Sequence, residues 1–175
     1  NKDGKIQYVV LEGEAGHQDA IIRTETVVET LISQGIELEK LSYQIANWNR
    51  AQAQNRMKQM IGQFHDSIEL VLSNNDDMAA GAIDAYDELN YTEENRPVFF
   101  GVDGTAVGLQ GVKDREIAGT IYNDKEGQAE AMAQLSVALC TGEGMDAISF
   151  EDERYVFLPY LKVTYDNVDE FLDRQ

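Results

Sequence analysis

The chain has little from which to build a covalent staple or a soft metal centre: one cysteine, Cys140, and two histidines among 175 residues. A lone cysteine excludes an internal disulfide and leaves the redox compartment open. Basic residues are scarce as well. Lys+Arg of 14 against Asp+Glu of 32 gives a net charge of -18, which repels a phosphate backbone and excludes nucleic acid as a partner. No apolar run approaches the roughly 20 residues that span a bilayer, and no charged, apolar and small-residue sequence at the start reads as a signal peptide. The motifs of the common enzyme classes are missing too: no Gly-x-Gly-x-x-Gly after a strand, no Gly-x-Ser-x-Gly elbow and no Cys/His metal set. His17 with Asp19 is the one candidate base, and no nucleophile accompanies the pair.

What is present is a core. With 43% hydrophobic residues the chain can form one domain, or one with an appendage. Its rhythm alternates between short β-branched or apolar runs and helical periodicity. Strands are expected at Ile6 to Gly13, Ile36 to Ile45, Ile68 to Leu72, Val98 to Val102 and Gly119 to Tyr122. Helices are expected between them: Asp19 to Gln34, stopping at Gly35; Arg50 to Phe64; Asp77 to Leu89; and Thr105 to Asp114. Strands separated by helices of this length predict right-handed crossovers, hence an α/β fold with an open, mainly parallel sheet and helices on both faces. After Tyr122 the rhythm breaks into a helix to about Leu139, a segment from Glu153 to Leu161 and a closing helix from about Asp166. Cys140 ends a run of small and apolar residues and is expected to be a buried small hydrophobe. His65 closes a helix and is expected at the surface.

Four of the apolar runs lead into side chains suited to reading hydroxyl groups. The first leads to His17, Asp19 and Arg23, the third to Asn74-Asn75-Asp76, the fourth ends at Asp103 and the fifth at Asn123. In an open parallel sheet, residues beyond the carboxyl ends of separate strands converge on one crevice. A sugar hydroxyl both donates and accepts, so planar Asp, Asn and Arg groups match adjacent hydroxyl pairs, and an indole such as Trp48 fits the apolar face of a pyranose. Each position also has a local reading: Asp19 as a helix N-cap, Asn75 or Asp76 as a cap of the next helix, Asp103-Gly104 as a turn, and Trp48 as core. The opening Asn1-Lys2-Asp3-Gly4-Lys5-Ile6-Gln7 puts oxygen-bearing groups at alternate positions around a glycine, as the first half of an EF-hand loop does, and reads equally as an ordinary turn. Starting inside such a loop, without methionine, the chain is expected to be a trimmed piece of a longer one.

Taken in order, NKDGKIQ, EGEAGHQDAIIR, the tryptophan of ANWNRAQA, ELVLSNNDDMAAGAI, VFFGVD, AGTIYND and LPYLKVTYDNVDEF resemble the carboxyl-terminal lobe of the bacterial galactose/glucose-binding proteins of ABC importers. The resemblance implies one lobe of a type I periplasmic-binding-protein fold: residues 1–123 plus about 156–175 as the lobe, and about 124–155 as a segment packed with an amino-terminal lobe this chain lacks. It implies an aldohexose such as galactose or glucose held between lobes by His17, Asp19, Arg23, Trp48, Asn75, Asp103 and Asn123. It also implies a structural calcium ion (Ca2+) at Asn1, Asp3, Lys5 through its carbonyl, Gln7 and Glu69, with one more ligand upstream of Asn1. Implied partners are a monosaccharide, an ABC transporter membrane permease and a chemoreceptor; the implied location is the periplasm or the cell exterior, with or without a lipid anchor. A sugar-sensing effector domain of a lactose-repressor-like regulator shares this architecture and is the alternative, disfavoured by the calcium-type loop.

Overall fold

The computed structural model describes residues 3–152 and 154–174. The chain divides into two compact units, one holding the residues up to Ile121 together with those from Lys162, the other being Tyr122–Leu161.

The first unit is built on a six-stranded sheet whose strands are β1 (Ile6–Glu12), β2 (Leu38–Ile45), β3 (Leu70–Ser73), β4 (Val98–Phe100), β5 (Gly119–Tyr122) and β6 (Leu161–Thr164), in the order β2-β1-β3-β4-β5-β6. β1 pairs in parallel with β2 and β3, β3 with β4, and β4 with β5. The strand order turns back at β1, next to β3, so the sheet has a switch point between them. β3 is buried at every residue and β1 at all but its first, as expected of central strands covered on both faces.

Alternation along the strands sorts the core into two layers. Tyr8, Val10, Leu70 and Leu72 form one cluster, covered by Val27, Val28 and Leu31 of α1 (Gln18–Ser33). Val9, Leu11, Val71 and Phe99 are nearly inaccessible on the other layer. That layer also holds the buried faces of α2 (Arg50–Phe64), with Met57, Met60 and Ile61, and of α3 (Asp76–Glu88), with Met78, Ala79, Ala82 and Ile83. Each fully buried aliphatic or methionine side chain of this kind stabilises by about 1.5–3 kcal/mol. α4 (Ala106–Lys113) adds Leu109 and Val112, and α6 (Asp169–Leu172) adds Phe171.

The helical apolar pattern expected in α1 is wider than the face it buries. Ile21, Ile22 and Ile32 are 39%, 50% and 55% exposed, because the 100° advance of a helix per residue puts Ile22 opposite the stripe formed by Ala20, Val27, Val28 and Leu31 and leaves Ile21 and Ile32 at its edge. Val98 and Phe100, which pair in register with Leu70 and Leu72, are likewise exposed.

In the second unit α5 (Lys125–Thr141) begins with Asp124 Oδ1 accepting from the Gly127 backbone N–H at 3.0 Å and ends at Gly142 in the left-handed region. Ala138 is its one buried residue among those described. Met132, Val137 and Leu139 are 66%, 62% and 72% exposed, and Leu135 is half-buried. Cys140 is exposed, which corrects the expectation that it is buried: α5 buries almost none of its surface, so a small apolar residue on it has no core to enter.

Candidate functional site

At the carboxyl edge of the sheet the first unit places five of the seven expected hydroxyl-reading residues in one connected group. β2 ends at Ile45, and two residues in left-handed conformation follow, Asn47 (φ 51°) and Trp48 (φ 61°). For a bulky residue this backbone is uncommon and costs on the order of 1–3 kcal/mol. It swings the indole back over the end of β1, where Gly13 makes room: a Cβ built on Gly13 would lie 2.2 Å from Trp48 Cζ2. The indole and the His17 ring meet in a T-shaped pair, centroids 5.2 Å apart, and the Arg23 guanidinium lies over the indole ring, 5.8 Å from its centroid.

His17 is the N-cap of α1, its Nδ1 accepting the Asp19 backbone N–H at 3.2 Å. The cap role proposed for Asp19 therefore falls to His17. Asp19 stands exposed in the first turn, which leaves its carboxylate open to solvent. Arg23, one turn further along, donates through Nη1 to the Asn74 carbonyl at 2.8 Å and to Asp103 Oδ1 at 3.2 Å. Asp103 sits at φ 111°, a conformation L residues rarely adopt. Desolvation pushes its carboxyl above the usual aspartate range, while the Arg23 charge pulls it back down. Asn75 is buried and caps α3, its Oδ1 accepting from the Met78 N–H at 3.0 Å, with its Nδ2 3.5 Å from the Trp48 carbonyl. Its oxygen is committed to the cap, and its amide nitrogen faces the Trp48 carbonyl. Asn123 lies in the second unit, where its Oδ1 accepts from Gln128 Nε2.

Beneath this shelf lie Asn74 and Asp76, which the strand-end reading named as part of the Asn74-Asn75-Asp76 run without separating them from Asn75. Asn74, 3% exposed, accepts from the Gly13 N–H at 3.1 Å and donates to Thr24 Oγ1 at 2.9 Å, tying β1, β3 and α1 together. Asp76 is fully buried. Its Oδ1 accepts from the Thr120 hydroxyl at 2.6 Å, and its Oδ2 from the Thr105 N–H at 2.8 Å and the Thr105 hydroxyl at 3.3 Å. Burial raises its pKa to about 6, against the opposing pull of these donors. The available signal was the Asn-Asn-Asp run itself, since successive residues leaving a strand point to opposite faces.

At the opposite, amino end of β1, Asp3, Gln7 and Glu69 come together. The Gln7 backbone N–H donates to Glu69 Oε2 at 3.1 Å, Gln7 Nε2 donates to Asp3 Oδ2 at 2.7 Å and approaches Glu39 Oε2 at 3.4 Å, and the Lys5 N–H donates to Asp3 Oδ1 at 2.9 Å. Carboxylate and amide oxygens are hard donors of the kind calcium takes, and here the Gln7 amide presents its hydrogens to Asp3 and Glu39. Among the described residues no group of three or more His, Cys, Asp or Glu side chains is arranged as a metal centre, and Asn1 lies outside the described residues.

The chain is 38% identical over 175 residues to the D-galactose/methyl-galactoside binding periplasmic protein MglB of Haemophilus influenzae, an alignment covering 98% of this chain and 52% of that protein. It is 34% identical over 166 residues to a xylitol-binding protein of Mycolicibacterium smegmatis, covering 95% of this chain and 44% of that one. Its fold superposes with a TM-score of 0.83 on an ABC transporter solute binding protein of Bacillus halodurans holding myo-inositol, at 26% identity, covering 98% of this chain and 56% of that one. The chain thus spans about half the length of the curated relatives it matches, and its architecture is that of one lobe of the type I periplasmic-binding-protein fold. A model of the periplasmic binding protein domain matches residues 1–144, and with that, the chain belongs to the periplasmic binding protein domain family.

Proposed function

We propose that this chain is the carboxyl-terminal lobe of a solute-binding component of an ABC sugar importer, taking an aldohexose such as galactose or glucose between two lobes in the periplasm. The observation that carries the reading is the shelf of Trp48, His17, Arg23, Asp103 and Asn75. An indole held at a strained backbone and flanked by an Arg–Asp pair offers one apolar face and several charge-assisted hydrogen bonds. That combination suits a pyranose, with C–H groups on its faces and hydroxyls around its rim. The 38% identity to a galactoside-binding protein supports the hexose class over the polyols of more distant relatives. Asp19, exposed at the start of α1, adds a further proposed hydroxyl contact.

The work is capture and delivery to a membrane permease, without bond making. His17 Nδ1 takes the Asp19 N–H and the ring lies against Trp48, so the one candidate base is positioned as a cap and a wall. The same reading gives the amino end of β1 a structural calcium ligated by Asp3, Gln7, Glu69, the Lys5 carbonyl and Asn1.

Calorimetry on the full-length protein tests the assignment, with D-galactose, D-glucose, xylitol and myo-inositol compared. Saturable heat with the aldohexoses, weakened at least tenfold by Trp48→Ala, is expected. Binding of the polyols alone, or aldohexose binding indifferent to Trp48→Ala, contradicts it.

A further inference from the structure

We propose that Asp76 is a positioning residue for the sugar site, acting through Asp103: it grips the Val102–Thr105 loop on both sides of Asp103 and thereby sets the carboxylate that pairs with Arg23. This rests on the assignment of Asp103 to sugar binding.

Asp76 holds the loop at three places. Its backbone N–H donates to the Val102 carbonyl at 2.9 Å, immediately before Asp103. Its Oδ2 accepts the Thr105 N–H at 2.8 Å, two residues after. Its Oδ1 accepts the Thr120 hydroxyl at 2.6 Å, and that same oxygen of Thr120 receives the Gly104 N–H at 3.4 Å. Asp103 itself donates its N–H to the Ile121 carbonyl at 2.8 Å. Every residue from Val102 to Thr105 is therefore fastened, three of them through Asp76 or its partner hydroxyl. A backbone at φ 111° persists only where its surroundings over-determine it, and these bonds supply that determination.

The carboxylate is enclosed as well as bonded. A Cβ on Gly108 would lie 2.0 Å from Asp76 Oδ2 and one on Gly101 2.2 Å from Oδ1, so only glycine at both positions lets β4 and α4 close around it. Asp76 is fully buried and cannot reach solvent. Its influence on a ligand has to pass through the loop it holds.

Asparagine at position 76 can keep its oxygen toward the Thr105 N–H and turn its amide toward Thr120 Oγ, which can accept; alanine can do neither. In the full-length protein, Asp76→Ala is expected to weaken D-galactose binding at least tenfold and to shift the Arg23 guanidinium and Asp103 amide resonances in the absence of sugar. Asp76→Asn should recover affinity to within about threefold. On an Asp103→Ala background, Asp76→Ala should cost little further affinity, because the group it positions is gone. Should the alanine variant fail to fold, Thr120→Val removes the hydroxyl clamp alone and should give the same resonance shifts and the same coupling to Asp103→Ala. Equal losses on both backgrounds, or unshifted Arg23 and Asp103 signals in a folded variant, overturn the proposal. If the wild type binds no sugar while the resonances of Arg23 and Asp103 still respond to Asp76, the functional assignment fails and the positioning stands.

Discussion

Two aspartates 27 positions apart in sequence, Asp76 and Asp103, share the carboxyl edge of the sheet and differ in nearly every physical respect. Asp76 is sealed under β4 and α4 with three donors on its carboxylate. Asp103 has a side chain 29% exposed and one cationic partner, Arg23. The layer that carries Asp76, with Asn74, is saturated with intramolecular hydrogen bonds; the layer that carries Asp103, with Trp48 and Asp19, keeps open faces. An edge built this way has a rigid footing and an unsatisfied surface, and under the proposed function that surface is what a sugar would complete. Preorganisation of that kind lowers the ordering cost of binding.

The contrast is broken most severely by filling the buried layer. Gly108→Ala forces a methyl group against Asp76 Oδ2 and is expected to cost about 1–3 kcal/mol of stability, the range for overpacking a close-packed site; chemical denaturation gives the value. A loss below about 0.5 kcal/mol would show that the enclosure around Asp76 is loose.

Comparable in size is the pH dependence. Burial raises Asp76 from its ordinary 3.8 to about 6, with the Asp103 charge adding to the rise and the Thr120 and Thr105 donors opposing it. The native state therefore holds a proton between about pH 4 and 6 that the unfolded chain has released. The stabilisation that this proton represents is fully present below about pH 4 and is lost as pH rises through 6. The difference in unfolding free energy between wild type and Asp76→Asn should thus fall by roughly 3 kcal/mol from pH 4 to above pH 6, from 1.36 kcal/mol per unit. A difference independent of pH would contradict the raised pKa.

At the other end of β1 the effect is conditional on the ion. Calcium at a hundredfold excess over its dissociation constant should stabilise by about 2.7 kcal/mol, and Glu69→Gln should abolish the shift. A melting temperature unchanged by calcium or by a chelator would remove the metal from the account.

Much of the fold is legible in the sequence because its signals are local. Ile6 to Leu11 and Leu70 to Leu72 are strands by their apolar runs, and the intervening helices show by their periodicity. The strand ends could be read for the same reason: Asp103 follows an apolar run directly, and Asn75 comes just past the run that ends at Leu72. Other features depend on partners remote in sequence. Cys140 on an apolar-rich helix looks like core, and whether a core exists for α5 to enter is a tertiary matter. His17 displaced Asp19 as the cap because the start of α1 was set by the preceding Gly16 turn, at φ 79°. Asp76 looks like a helix-capping acid among others, and only the folded chain brings Thr105 and Thr120 to it, 29 and 44 positions away.

The central claim is that the open layer at the carboxyl edge is the sugar face, and nuclear magnetic resonance of the full-length protein titrated with D-galactose tests it directly. Saturable shifts at the Trp48 indole N–H, the Arg23 guanidinium and the Asn75 amide, with the Gly108 and Thr120 amides in the buried layer moving much less, are the predicted result. Galactose-dependent shifts confined to other surfaces, with Trp48 and Arg23 unchanged at saturation, would contradict it.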